Sequence, residues 1–239
     1  MSTLIRIGML AALAVALCAC SLGSGQLKSR SVAVDGVTEV VFEGIGDLKI
    51  AQGERESLEI SAEEDVLELV DTEVRGEVLY IRLDRQFWFG GPLPTRGIIY
   101  RLTVRDLRRV TLAGAGDIRI GHLETESLEL NLDGAGSTEV DGLEADAFSL
   151  RHRGAGAATA SGHVDTQDVL VAGAGSYRGA DLVSRSARVD IVGAGDATVW
   201  AEEHLEARIE GVGSIRYHGN PTLEQRVAGV GQIKRIGSD

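Results

Sequence analysis

Several short patterns in the chain use residue types that elsewhere carry chemistry. Gly173-Ala174-Gly175-Ser176-Tyr177-Arg178-Gly179 has the glycine spacing of a nucleotide loop. Such a loop works by setting a pyrophosphate against the amino terminus of a helix that follows a strand. Here another strand pattern follows, and Gly-x-Gly recurs along the chain, so no nucleotide site is expected. Asp47, Asp117 and Asp196 stand directly after Gly-x-Gly units, with Ser137, Ser176 and Ser214 in the same place elsewhere. Calcium-binding β-roll repeats also place aspartate near glycine, but they have a nine-residue period and pair aspartates across adjacent turns. Separated by Ser or Ala units, these aspartates read instead as caps of turns. His122 and His163 hold similar turn positions two repeats apart. That is about 9.6 Å of stacking rise, too far for one zinc with Zn–N bonds of about 2.1 Å. His152 replaces an aliphatic residue in an apolar series and reads as a core histidine. No metal site, cofactor or catalytic residue is assigned. Carboxylates are plentiful, but no pair stands out, so a polysaccharide-active β-helix enzyme is kept only as the alternative.

Both cysteines, Cys18 and Cys20, lie in the first twenty residues, MSTLIRIGMLAALAVALCAC. The rest of the chain therefore holds no disulfide, thiol nucleophile or cysteine zinc site. Arg6 precedes an apolar run from Ile7 to Leu17 that is too short to span a bilayer core of about 30 Å. Its pattern is that of a secretory signal peptide. Leu17-Cys18-Ala19-Cys20 resembles a bacterial lipobox, which implies diacylglyceryl transfer to the Cys20 thiol and cleavage before it. An ordinary signal peptide with an incidental cysteine is the alternative. Two ester-linked chains plus N-acylation anchor stably, whereas a single acyl chain binds only marginally. Ser21, rather than Asp, follows the cysteine, which favours the outer membrane.

Gln86-Phe87-Trp88-Phe89-Gly90-Gly91-Pro92-Leu93-Pro94 stands apart in a chain with only four Phe, two Trp and three Pro. Aromatics gathered in one loop often mark a contact surface, so Phe87, Trp88 and Phe89 are candidate partner contacts. The other reading is that this loop folds back and caps one end of the molecule.

The net charge of the 239-residue chain is −12. Residues 1–19 contain Arg6 and no acid, so the mature value is −13. An acidic chain argues against nucleic acid, which needs a basic stripe, and against electrostatic adhesion to anionic lipid.

Beyond the expected tether, Gly-x-Gly occurs at 44–46, 114–116, 134–136, 154–156, 173–175, 193–195, 211–213 and 229–231. From Gly114 the steps are 20, 20, 19, 20, 18 and 18. A fixed period of this size means a solenoid. Two residues before the first glycine stand Leu112, Leu132, His152, Val171, Ile191, Ile209 and Val227. Four before stand Val110, Leu130, Leu150, Val169, Val189, Ala207 and Gln225. The residues between are mostly polar, which is the alternation of a strand with one buried face. The spacing predicts one closed coil of two or three short strands per period, stacked in parallel about 4.8 Å apart, so that seven coils make a rod of about 34 Å. Crossover handedness predicts a right-handed parallel β-helix. The small middle residue (Ala115, Ala135, Ala155, Ala174, Ala194, Val212, Val230) is expected to point into a narrow interior corner. Further upstream, Ser57–Ala62, Val74–Leu83 and Ile98–Val104 read as strands of an irregular cap, and residues 63–71 as a helical turn or a loop.

The lipobox, an early Phe42-Glu43-Gly44-Ile45-Gly46, a strand-rich middle and repeated strand-Gly-Ala-Gly-strand units together resemble the bacterial envelope family called "putative auto-transporter adhesin, head GIN domain". The similarity covers about residues 32–235 and implies a right-handed β-helix at the envelope, with no catalytic residues. The expected organisation is a signal peptide at 1–19, a flexible tether at 20–31 and one β-helix domain at 32–239, irregular over 32–106 and regular over 107–239. The expected role is a non-catalytic binding, adhesion or scaffold module held to the membrane by its lipid. Its partners would be envelope glycan or protein, and a purely structural stress-response lipoprotein is a further option.

Overall fold

The computed structural model describes residues 25–88, 91 and 94–237, with the backbone alone at Trp88. Cys18, Cys20 and Phe89 lie outside the described residues. Among the described residues, seventeen strands join in one continuous sheet that coils into a parallel β-solenoid of about 6 turns. In the regular part each coil is one long bent strand rather than several short ones. Thr138–His152, Ala155–Val171, Ala174–Ile191 and Ala194–Ile209 stack in parallel, interrupted only at Gly-x-Gly. Equivalent residues fall in register: Leu112, Leu132, His152, Val171, Ile191, Ile209 and Val227 form one column. All but the last are buried, and with their neighbours they make one core.

The corner differs from expectation. Ala115, Ala135, Ala155, Ala174 and Ala194 are exposed, and Val212 and Val230 are 58% and 71% accessible, so the middle residue points to solvent. The reason is parity. Inward positions 110 and 112 continue through 114 and 116 to the buried Ile118 and Ile120, so period-2 alternation runs unbroken around the bend. The glycines take the inward parity and the residue between them faces out. A Cβ on the first glycine of any corner from Gly114 to Gly229 would lie 1.9–2.2 Å from the carbonyl oxygen of the equivalent glycine one coil earlier. That oxygen accepts the N–H of the next middle residue, as in Ala155 to Gly134 at 3.1 Å. Ala155→Leu is therefore expected to be tolerated within about 0.5 kcal/mol, as at other surface sites. A thermal melt checks this, and a large loss would place the column inside after all.

The Gly-x-Gly at 44–46 is itself a coil corner, because Ile45 pairs with Ala115, 70 positions further on. The segment between them builds the amino-terminal layers. Ile99–Val104 adds in parallel to Ile45–Gln52, and Ser57–Glu63 then adds antiparallel to Ile99–Val104. On the neighbouring face Val78–Leu83 pairs with Glu39–Glu43, and Val70–Arg75 closes that edge antiparallel. A helical turn, Glu64–Leu67, joins the two and buries Val66 and Leu67. The outermost strand is Leu27–Val32, antiparallel to Ser57–Glu63. Residues 27–31 are thus strand, not tether. After Leu27 their sequence, KSRS, is polar on both faces and reads as linker. The strand is held by its backbone ladder, by Ser29–Ser61 at 2.8 Å and by Arg30 Nη2 donating to the Val70 carbonyl at 2.6 Å.

At the opposite end, Thr222–Val227 and Val230–Arg235 are largely exposed. There Gln225 and Arg235 occupy the columns that hold Ala207 and Tyr217 one coil earlier. Polar residues at inward positions of an edge coil blunt its tendency to recruit further strands.

Candidate functional site

The outward positions of the strand before each corner form a charged face. Glu39, Arg109, Glu129, Ser149, Asp168, Arg188, Glu206 and Glu224 follow one another in register. Arg109 bridges Glu39 and Glu129, both at 2.9 Å, and Arg151 reaches Glu129 at 3.0 Å. Arg188 and Arg208 both pair with Glu206. Burial alone would raise the Glu129 carboxyl, but hydrogen bonds from Asn131 and Arg109 outweigh it and hold the group below the usual carboxylate range. Burial raises that of Asp190, with Arg208 and Arg188 pulling the other way. This face neutralises itself, and exposed pairs of this kind add little stability.

The face after the corner is built differently. Asp117 accepts the Ser137 N–H at 2.8 Å, and Asp196 accepts the Ser214 N–H at 3.0 Å. These aspartates cap the next coil, as their spacing implied. Among the described residues no group of three or more His, Cys, Asp or Glu is placed to hold a metal ion. His122 and His163 each face a carboxylate of their own: Nε2 of His122 lies 3.4 Å from Glu124 and Nδ1 of His163 lies 3.1 Å from Glu144. His152 is in the core, 1% accessible.

A recess of about 760 Å³ opens where the coil is interrupted, lined by Ala51, Gln52, Gly53, Glu54, Arg105, Gly121 and His122. It lies where the paired strands Ile45–Gln52 and Ile99–Val104 both end, at Gln52 and Val104. The Gln52 amide staples the break. Its Nε2 donates to the carbonyls of Arg105 and Glu124, and its Oε1 accepts the Glu124 N–H, all at 2.9 Å. Nothing in the local sequence marks this recess, because it arises from an insertion into a repeat.

The aromatic segment begins with a helical turn, Arg85–Trp88. Asp84 Oδ1 accepts the Gln86 N–H at 2.7 Å. Phe87 is buried, 8% accessible, in the core beneath the amino-terminal layers. The chain leaving this segment is tied down at Thr95, whose N–H donates to the buried Glu63 carboxylate at 3.0 Å and whose hydroxyl donates to its other oxygen. The Thr95 hydroxyl bond is the main reason the Glu63 carboxyl sits below its ordinary range. Of the three candidate contacts, Phe87 therefore packs in the cap.

The coiled stack and its non-repeating amino-terminal layers define a parallel β-solenoid. The chain belongs to the family described as "putative auto-transporter adhesin, head GIN domain", whose model matches residues 36–221. No curated protein matches it. Among solved structures, a "putative adhesin" from Bacteroides fragilis NCTC 9343 is 24% identical, with a TM-score of 0.86, covering 90% of this chain and 99% of that one. A "putative lipid binding protein" from Parabacteroides distasonis ATCC 8503 is 24% identical, with a TM-score of 0.70, covering 90% and 98%. A "putative adhesin" from the same organism is 23% identical, with a TM-score of 0.70, covering 90% and 99%. These likenesses show the fold.

Proposed function

We propose that the chain is a non-catalytic binding module of the bacterial cell envelope, anchored through lipid on Cys20 and facing envelope glycan or protein. One observation carries this reading: the first and the last described strands, Leu27–Val32 and Val230–Arg235, lie at opposite ends of the stack. The described chain begins beside Leu27–Val32, the outermost strand of one end. Ten strand-to-strand steps separate it from Val230–Arg235, about 48 Å at the spacing of a sheet. A lipid on Cys20 thus puts one end at the outer membrane and presents long, regular faces away from it. The family description and the names of the solved relatives support a binding role at the cell surface.

The test is retention of the purified full chain on isolated envelope polysaccharide and protein fractions. The expected result is saturable binding with the fractions chemically unchanged. New reducing ends or shortened chains would overturn the proposal in favour of a polysaccharide-active enzyme. Failure to bind any fraction would overturn it in favour of a structural lipoprotein.

A further inference from the structure

On the face after the corner, one outward column runs Arg101, Lys49, Arg119, Glu139, Thr159, Arg178, Thr198, Arg216, Lys234. Six of its nine members are cations, in a chain of net charge −12. Arg119 reaches Glu139 at 3.6 Å. The other five have no hydrogen-bond or ion-pair partner among the described residues, and all are exposed. Arg101, Lys49 and Arg119 are consecutive, each about 4.8 Å from the next, and like charges directly opposite destabilise a sheet. On the face before the corner Arg109, Arg151, Arg188 and Arg208 each pair with an acid. Arg101, Lys49 and Arg119 thus place three adjacent cations between single acids, Glu59 opposite Arg101 and Glu139 opposite Arg119, and this excess points to an anionic ligand that supplies the missing charge.

A second feature adjoins it. Ala51 and Gly121 stand two residues after Lys49 and Arg119, and both line the recess. Ala51, Gly53 and Gly121 give it apolar lining, and Gln52, Glu54, Arg105 and His122 give it polar groups. At about 760 Å³ it lies within the usual range for small-ligand sites and has room for a sugar ring.

We propose that this face binds an acidic polysaccharide lying along the rod, with one sugar seated in the recess and carboxylates on Arg101, Lys49 and Arg119. Arg178, Arg216 and Lys234 then take acidic groups further along the same chain. This rests on the envelope-binding reading and names its ligand class. The regular rise of the coils suits a polymer of repeating charge, and the recess suits a ring rather than a peptide side chain.

The experiment measures binding of the full chain, in neutral detergent, to polygalacturonate, neutral dextran and polyglutamate of matched length. Polygalacturonate is expected to bind tightest, and to weaken as salt screens the exposed cations. Lys49→Gln and Arg119→Gln are each expected to weaken it about tenfold or more, the usual worth of a charge-assisted hydrogen bond, while melting is unchanged. Arg188→Gln, on the paired face, is expected to leave binding unaltered. Equal affinity for dextran, tighter binding of polyglutamate, or wild-type affinity in both column variants would overturn the proposal. Retention on an envelope fraction in those same variants would show that the envelope-binding reading survives without it.

Discussion

Gly154→Ala is expected to destabilise the protein by about 3 kcal/mol or more, among the largest effects of any single methyl group added to this chain. The added Cβ would lie 1.9 Å from the Gly134 carbonyl oxygen and 2.9 Å from the carbonyl carbon. Both atoms are backbone, so no rotamer change relieves the clash. The oxygen also accepts the Ala155 N–H at 3.1 Å, so opening the gap breaks the corner ladder. In a chain of this size about 3 kcal/mol corresponds to a fall in Tm of about 6–12 °C. Two comparisons isolate the cause. Gly76 has a φ of +61° and nothing within 4 Å of a built Cβ, so Gly76→Ala tests left-handed backbone strain alone, about 1 kcal/mol. Ala155→Leu tests bulk on the outer side of the same corner and is expected to cost almost nothing. If Gly154→Ala melted like the wild type, the coils would not be stacked at the separation described.

The second large effect is expected in acid. His152 sits in the inward column between Leu132 and Val171, and neither ring nitrogen meets a protein hydrogen-bond partner. Burial lowers its pKa below the ordinary value; the Gly156 backbone lies near enough to offset part of this without forming a well-aligned hydrogen bond. The folded state thus binds this proton more weakly than the unfolded chain, whose histidine titrates near pH 6.5. Stability from the neutral ring is complete above that value. It is lost as pH falls below it, by at most about 1.4 kcal/mol per pH unit, until the lower folded-state pKa is reached. Wild-type Tm is therefore expected to drop between pH 7 and pH 5, before most carboxylates titrate. His152→Leu, which continues the residue type of Leu132, should flatten that portion of the curve. It should also equal or exceed wild-type stability at pH 7.5, because two unpaired buried nitrogens are removed. The same acid slope in the variant would assign the effect to other groups.

Much of the rod is legible in the sequence, because stacking forces repetition. The period near twenty and the alternation before each Gly-x-Gly suffice for a parallel β-solenoid. The aspartate caps follow from Asp117 and Asp196 standing where Ser137 and Ser214 stand one coil on. The corner is harder to read. A small residue between two glycines fits a cramped interior as well as an exposed ridge. Carrying the alternation from Leu112 through Gly114 and Gly116 to Ile118 decides between them, since it leaves Ala115 outside. Leu27–Val32 is hidden for another reason: an edge strand held by its backbone needs no apolar face, and its composition is that of a linker. The recess and the cation column depend on which strands become neighbours. Arg101 and Lys49 are 52 residues apart in sequence and adjacent in the sheet, and no local pattern announces that.

The central claim is that lipid on Cys20 holds this rod at the membrane, and metabolic labelling tests it directly. The full chain and its Cys20→Ala variant would be expressed in a diderm bacterium fed an alkyne-tagged palmitate, then fractionated on a density gradient. The wild type is expected to carry the tag and sediment with outer membranes, and the variant to be untagged and soluble. A tagged, membrane-bound Cys20→Ala variant, or an untagged, soluble wild type, would contradict the claim.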